Sequence, residues 1–353
     1  MSDLLLILEA PESNLRLAVC TARSLSQDAA RRHQLADGSA GVLAQALTGA
    51  LLLAATDQQD PNAHARVDVQ LDCEGPLRGL LVDADGNGAV RGLVRVNGLD
   101  RTGARAQFDE APLEDAQGEG GAGRSAPRPF AGARAGAELQ FLPPQPLARF
   151  DPRPLLGAAG DRRAGALSVL RAIPGDESLH RAHVPFSGSD LGAGLSAFLR
   201  SERTLAGGLA LEVLFQPREP LAAVAGALVL PVQEDQRDEA AALGERLRAG
   251  RLHQALLEVE AGSPGNAHAL ARRLALELQL GPVRILSELR PRFSCRCSRA
   301  RVVHALQTLG EAELRDMAGK DGGAEATCDF CAEIYRIGAA ELLELAEEQA
   351  TRQ

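Results

Sequence analysis

Residues 293–310 read FSCRCSRARVVHALQTLG, and residues 328–331 read CDFC. Four of the six cysteines of the chain therefore lie in two close pairs, Cys295 with Cys297 and Cys328 with Cys331. A structural zinc site uses four ligands at tetrahedral corners, and two short chelating pairs provide them with little ordering of the backbone. We predict that these cysteines bind one Zn²⁺ ion, which we favour over an iron–sulfur cluster, permanent disulfides or unpaired surface thiols.

The remaining cysteines, Cys20 and Cys73, stand alone in strand-like sequence, so we expect them to be small buried apolar residues. Because the four cysteines already supply all the ligands of a tetrahedral zinc site, we expect His304 to be an ordinary histidine on a helix surface. A segment of about sixty residues is marginally stable alone. Because structural zinc can supply on the order of 10–16 kcal/mol of apparent folding free energy, loss of the ion should unfold the segment.

Composition narrows the class of protein. The chain has 353 residues, of which 45% are hydrophobic and 3% aromatic, and a net charge of −9. The acidic balance is atypical of nucleic-acid binding proteins. No apolar stretch approaches the roughly 20 residues that cross a bilayer, and the apolar N-terminal run lacks a preceding positive charge. We predict a cytoplasmic protein without membrane contact. Thiols stay reduced in the cytoplasm, and clustered cysteines there more often bind metal or perform redox work than form structural disulfides.

Residues 1–232 are predicted to form an N-terminal mixed α/β core, which gives an α+β fold class for the chain. In the segment ARVDVQLDC, Val67, Val69 and Leu71 alternate with polar residues, as in a half-buried strand. The sequence DADGNG at 83–88 is typical of a hairpin turn. A Gly/Pro-rich stretch near 112–140 has no usable periodicity and is predicted to be a surface insertion.

Residues 233–292 are predicted to form an amphipathic helical linker. Apolar residues recur at helical spacing, first in one helix and then in another: Leu243, Leu247, Leu252, Leu256 and Val259, followed by Leu270, Leu274 and Leu278. Ser263 and Pro264 suit the N-cap and first turn of the second helix, and Gly281-Pro282 suits its end. Such helices need an apolar surface, and they dock on the preceding core either permanently or conditionally.

Residues 293–353 are predicted to be the C-terminal zinc-binding domain. Ser298 can cap the helix that follows the first cysteine pair, and AAELLELAEE at 339–348 is predicted to be a last amphipathic helix.

The motifs RFSCRCSRARVVHALQTLGEAEL and DGGAEATCDFCAEIYRI resemble the C-terminal module of the heat-shock protein 33 family, the bacterial redox-regulated holdase chaperones. The strand pair DCEGPLRGLLVDADGNGAVRGLV is similar to a Gly-Pro-containing strand pair of that family, and the resemblance covers most of the chain. One departure is Arg296, which stands between the first two cysteines where the family often has an acidic residue.

The resemblance implies a protein that is not an enzyme and that works without ATP. In the reduced state it would be zinc-bound and inactive. Oxidation would form the disulfides Cys295–Cys297 and Cys328–Cys331, expel zinc and unfold the linker, often with formation of a homodimer. The exposed apolar surface would then bind unfolding polypeptide clients.

Two other functions are compatible with the cysteines. One is a zinc-ribbon adaptor that binds nucleic acid, which the acidic pI of about 5.4 and the scarcity of aromatic residues disfavour. The other is a thiol oxidoreductase that uses Cys328 and Cys331, although no thioredoxin-like βαβ context surrounds that motif.

Overall fold

The computed structural model of the protein describes residues 2–55, 65–106, 146–157, 165–172, 179–187, 190–201, 207–217 and 219–352. The Gly/Pro-rich insertion predicted near 112–140 lies outside the described residues. The chain divides into two compact units, Met1–Arg292 and Phe293–Gln353. The further division of the first unit into a core and a linker remains a prediction.

An antiparallel six-stranded sheet forms the centre of the first unit. Its strands, in sequence order, are β1 (Leu5–Ala10), β2 (Leu15–Thr21), β6 (Ala148–Arg149), β9 (Gly208–Gln216), β10 (Glu219–Pro231) and β11 (Arg284–Leu289). In space the order is β11-β1-β2-β10-β9-β6. Strand β2 is held on both sides, since Ala18 pairs with Ile7 and with Leu228.

A second antiparallel sheet has the order β12-β5-β4-β3-β7-β8. Its strands are β3 (Arg66–Asp72), β4 (Gly79–Asp85), β5 (Ala89–Val94), β7 (Ala166–Ala172), β8 (Leu179–Pro185) and β12 (Arg292–Phe293). The predicted alternation in β3 is confirmed, because Val67, Val69 and Leu71 are fully buried. The predicted hairpin joins β4 to β5.

Helix α2 (Asp37–Ala54) lies between the two sheets, where Thr48 and Leu52 face Gly226 of β10 and Leu47 faces Gly92 of β5. The part of this region that the structure describes also contains three shorter helices, α1 (Arg23–Arg32), α3 (Arg153–Leu156) and α4 (Leu191–Ser201). Among the described residues, α2 is the helix long and apolar enough to cross a membrane, and 94% of it is buried inside the protein. Core helices of water-soluble proteins meet the same criterion, so α2 is weak evidence for a membrane span.

The outer face of the first sheet is covered by three helices, α5 (Arg237–Arg246), α6 (Leu252–Gly262) and α7 (Ala267–Glu277). The eight apolar residues predicted to face inward are all buried. The predicted N-cap at Ser263 is wrong. Helix α6 continues to Gly262 and Ser263 ends it, so that α7 starts later, where the Asn266 side chain accepts the N–H of Ala269 at 3.0 Å.

The second unit is small. It contains α8 (Arg299–Leu306), α9 (Glu311–Asp316), the hairpin of β13 (Gly323–Thr327) and β14 (Ile334–Gly338), and α10 (Ala339–Arg352). The predicted cap is confirmed, since the Ser298 hydroxyl accepts the N–H of Arg301 at 3.3 Å. Its buried apolar cluster is formed by Leu314, Ala318, Ile337, Leu342, Leu345 and Ala346. A core of this size provides little hydrophobic stabilisation, so the unit needs a cross-link.

Candidate metal centre

The structure brings the four predicted cysteines of the second unit together. Cys295 and Cys297 lie in the segment before α8, and Cys328 and Cys331 lie in the turn between β13 and β14. All four Sγ atoms are within 4.8 Å of one another. The Sγ atoms of Cys295 and Cys328 are 3.7 Å apart, and those of Cys297 and Cys331 are 3.3 Å apart.

Backbone hydrogen bonds shape the turn that carries the second pair. The N–H of Cys328 donates to the carbonyl of Glu333 at 2.9 Å, and the N–H of Ala332 donates to the carbonyl of Cys328 at 2.8 Å. Ala332 takes a φ of 57°, a left-handed conformation that residues with a Cβ rarely adopt. The tight turn keeps Cys328 and Cys331 on one side of the hairpin end.

The sulfur cluster has the dimensions of a four-thiolate metal site. With metal–sulfur bonds of about 2.3 Å, a regular tetrahedron has sulfur–sulfur edges of about 3.8 Å. The separations of 3.3 and 3.7 Å and the 4.8 Å upper limit bracket that edge. Four sulfur donors suit soft metals such as zinc, copper(I) and iron in iron–sulfur clusters. The group can therefore hold one metal ion.

Burial raises the pKa of the Cys328 and Cys331 thiols, and the neighbouring cysteines raise that of Cys331 further. Cys331 is only 5% exposed. In the absence of metal these thiols carry their protons at neutral pH. A bound ion must therefore displace protons from the sulfurs, which makes metal affinity dependent on pH.

Tyr335, on β14, belongs to the same cluster and was not found by sequence reasoning. Its hydroxyl donates a hydrogen bond to Cys297 Sγ at 3.1 Å, and this bond raises the pKa of Tyr335. The signal in the sequence was weak, because the single tyrosine of the chain stands in an ordinary strand pattern.

The expected burial of the two lone cysteines and the expected position of His304 on a helix surface are confirmed. Cys20 and Cys73 are buried, at 0% and 8% exposure, and His304 is an exposed residue of α8. Cys328 and Cys331 lie in a hairpin turn, whereas catalytic Cys-x-x-Cys motifs lie at helix N-termini, where the thiolate is stabilised. This placement disfavours a thiol oxidoreductase.

Fold and site together define an α+β protein with a large two-sheet unit and a small unit built around a four-thiol cluster. The Hsp33 protein family matches residues 3–338, and the chain belongs to this family. The resemblance seen in the sequence motifs is confirmed, and membership supports a role as a chaperone.

Relatives match over nearly the full chain. The chain is 30% identical to the 33 kDa chaperonin of Gloeobacter violaceus, over 99% of this chain and 96% of that protein. It is 29% identical to the 33 kDa chaperonin of Rippkaea orientalis, over 99% of this chain and 98% of that protein. The crystal structure of the Hsp33 homologue of Thermotoga maritima is 17% identical and superimposes with a TM-score of 0.67, over 99% of this chain and all of that one. The two proteins share the fold.

Proposed function

We propose that this protein is a redox-regulated, ATP-independent holdase chaperone, inactive while reduced and zinc-bound and activated by oxidation of its four clustered cysteines. The observation that carries the proposal is the cluster itself. Four thiols lie within 4.8 Å of one another in a unit whose buried apolar cluster has six residues, in a member of the Hsp33 family.

In the reduced state, Cys295, Cys297, Cys328 and Cys331 would be the ligands of one Zn²⁺. Bound zinc would supply Lewis-acid stabilisation of four thiolates and cross-link the two cysteine pairs. The ion would thus join the segment before α8 to the β13–β14 hairpin, and the buried residues of α9 and α10 complete the unit. Because the apolar cluster is small, sulfur ligation accounts for most of the stability of the unit.

Peroxide is a suitable oxidant, because thiolates attack it directly. For each pair, one sulfur attacks a peroxide oxygen to give a sulfenic acid, and the second sulfur displaces water to form the disulfide. Two H₂O₂ thus oxidise four thiolates with uptake of four protons, giving two disulfides and four waters. The cluster distances do not select the pairing, since all four sulfurs are neighbours. The pairs Cys295–Cys297 and Cys328–Cys331 follow from the family resemblance.

The surface for clients would lie under α5, α6 and α7. These helices cover the outer face of the first sheet, whose buried side chains there are aliphatic: Leu6, Leu8, Leu15, Leu17, Val19, Leu214 and Val229, with several alanines. If the linker at 233–292 unfolds after loss of the metal, this face becomes exposed. It would bind unfolding polypeptides in the cytoplasm through non-directional apolar contact, without catalysis, and would support a homodimer of the oxidised protein.

One experiment tests the proposal. Bound zinc and free thiols are measured before and after peroxide treatment at a heat-shock temperature, alongside light scattering of a chemically denatured client diluted into the protein. We expect one zinc per chain and no protection when the protein is reduced. After peroxide we expect zinc release, loss of four thiols and suppression of aggregation.

Disulfide mapping by mass spectrometry then identifies the bridges. Zinc release with no gain in protection would contradict the chaperone switch. A reduced protein without bound metal would contradict the metal centre itself.

A further inference from the structure

Tyr335 contacts the sulfur cluster through its hydroxyl group. Its hydroxyl donates to Cys297 Sγ at 3.1 Å, within the hydrogen-bonding distance of sulfur. The residue lies on β14, where it pairs with Ala326 of β13, so the hairpin fixes the ring beside the cysteines.

The hydrogen-bond donors to Cys328 and Cys331, in the turn between β13 and β14, are of a different kind. Cys328 receives a hydrogen bond from the backbone of Phe330, and Cys331 from the backbone of Glu333. Main-chain donors are present whatever side chain occupies those positions. The donor to Cys297 is a side-chain hydroxyl, which a single substitution can remove without changing the backbone.

A hydrogen bond to a thiolate withdraws negative charge from the sulfur and occupies a lone pair. Attack on peroxide uses a sulfur lone pair, and nucleophilicity falls as charge is withdrawn. We propose that Tyr335 is a positioning residue that slows oxidation of Cys297 and thereby sets the peroxide threshold for release of the metal. This inference rests on the proposed function. The reaction is the oxidation of four thiolates by two molecules of H₂O₂ to two disulfides, and Tyr335 keeps its proton throughout.

The matched variants are Tyr335→Phe, which removes only the hydroxyl, and Thr327→Val, which removes a hydroxyl from the exposed surface of the same hairpin. Zinc release is followed with a chromophoric chelator under a fixed excess of peroxide. Alkylation and mass spectrometry follow the reactivity of Cys297 against that of Cys331. We expect Tyr335→Phe to bind one zinc and to release it about threefold to tenfold faster, with the largest gain in reactivity at Cys297. Thr327→Val should match the wild type.

Equal release rates in all three proteins would overturn the inference and leave the proposed function intact. A general gain at all four cysteines, together with a lower unfolding temperature of the reduced zinc form, would also overturn it, because that pattern indicates loss of packing. Absence of zinc from the wild type would instead contradict the proposed function.

The wild-type protein provides a second measurement if Tyr335→Phe does not fold. The chain has one tyrosine and no tryptophan, so tyrosine emission reports on this position alone. A sulfur that accepts a hydrogen bond from the phenol hydroxyl quenches that emission. We expect emission to rise in step with modification of Cys297. Emission that stays constant while Cys297 reacts would overturn the inference.

Discussion

Gly244 of α5 lies directly against Gly208 of β9. A Cβ added to Gly208 would stand 2.4 Å from the Cα of Gly244, and a Cβ added to Gly244 would stand 2.2 Å from the Cα of Gly208. No side chain separates the helix from the sheet at this point. The glycine pair therefore sets how closely α5 approaches the sheet, and with it the covering of the outer face.

We predict that Gly244→Ala displaces α5 and activates the reduced protein. Alanine favours a helix over glycine by roughly 1 kcal/mol, but the added methyl group overlaps backbone atoms of Gly208 that cannot move aside. The variant should keep its zinc, since the contact lies in the first unit. It should also protect a denatured client without oxidant, as measured by light scattering in the presence of a reductant.

Gly262→Ala is the control. Gly262 ends α6, and an added Cβ there meets nothing within 4 Å. This variant should remain inactive while reduced. If Gly244→Ala is as inactive as Gly262→Ala, close approach of α5 does not govern access to the outer face.

Arg248 provides a polar attachment of the helical layer. From the kinked turn between α5 and α6, its Nη1 donates to Ser196 Oγ at 2.6 Å and to the carbonyl of Leu209 at 2.8 Å, and its side chain is 10% exposed. Arg248→Met retains much of the volume but none of the donors. We expect a loss of about 1.5–3 kcal/mol in the free energy of unfolding, measured with urea.

The exposed Arg272 of α7 is the matched control, and Arg272→Met should change the same free energy by less than about 0.5 kcal/mol. Comparable losses in both variants would show that Arg248 does not attach the helices to the sheet.

The sequence predicted those features that depend on short-range pattern. Spacing alone identified the alternation of Val67 and Val69 with polar residues, the inward face of the linker helices and the two cysteine pairs. It could not show that Gly208 meets Gly244, or that Tyr335 reaches Cys297, because these contacts join segments distant along the chain and depend on tertiary packing. The prediction of the α7 N-cap was wrong for a related reason. Ser263 has a side chain suited to an N-cap, but helix α6 continues to Gly262, so Ser263 is the C-cap of α6 and Asn266 caps α7.

Removal of one ligand should unfold the second unit. Cys331→Ser takes away the most buried of the four sulfurs, and a hydroxyl is a poor ligand for a soft metal site. We expect zinc binding to be lost and amide hydrogen exchange to become fast in residues 293–352. Amides of β2, β9 and β10 should stay protected while the linker remains docked, since they belong to the other unit.

Cys73→Ala controls for the loss of one thiol, because Cys73 is buried in the first unit and outside the sulfur cluster. It should retain zinc and protection in the second unit. Full protection of residues 293–352 in Cys331→Ser would show that the unit does not depend on sulfur ligation.

Glu212 should make the first unit more stable as the pH falls. It is 3% exposed on β9, with Arg149 Nε at 3.0 Å and His253 Nδ1 of α6 at 3.2 Å. Burial raises its pKa above the ordinary 4.5, and the contacts with Arg149 and His253 offset only part of that rise. A carboxyl with a higher pKa in the folded state binds its proton more tightly there. Its contribution to stability is therefore complete below pH 4.5 and is lost as the pH rises through the folded-state pKa.

We accordingly expect the free energy of unfolding of the wild type, minus that of Glu212→Gln, to increase as the pH is lowered from neutrality towards 4.5. Urea titrations followed by circular dichroism at several pH values measure this difference, and Glu239→Gln on the exposed side of α5 controls for the change in net charge. A difference that decreases on acidification would mean that the ion pair with Arg149 outweighs the cost of burial. Glu212 would then join β9 to α6 as a carboxylate whose pKa lies below its ordinary value.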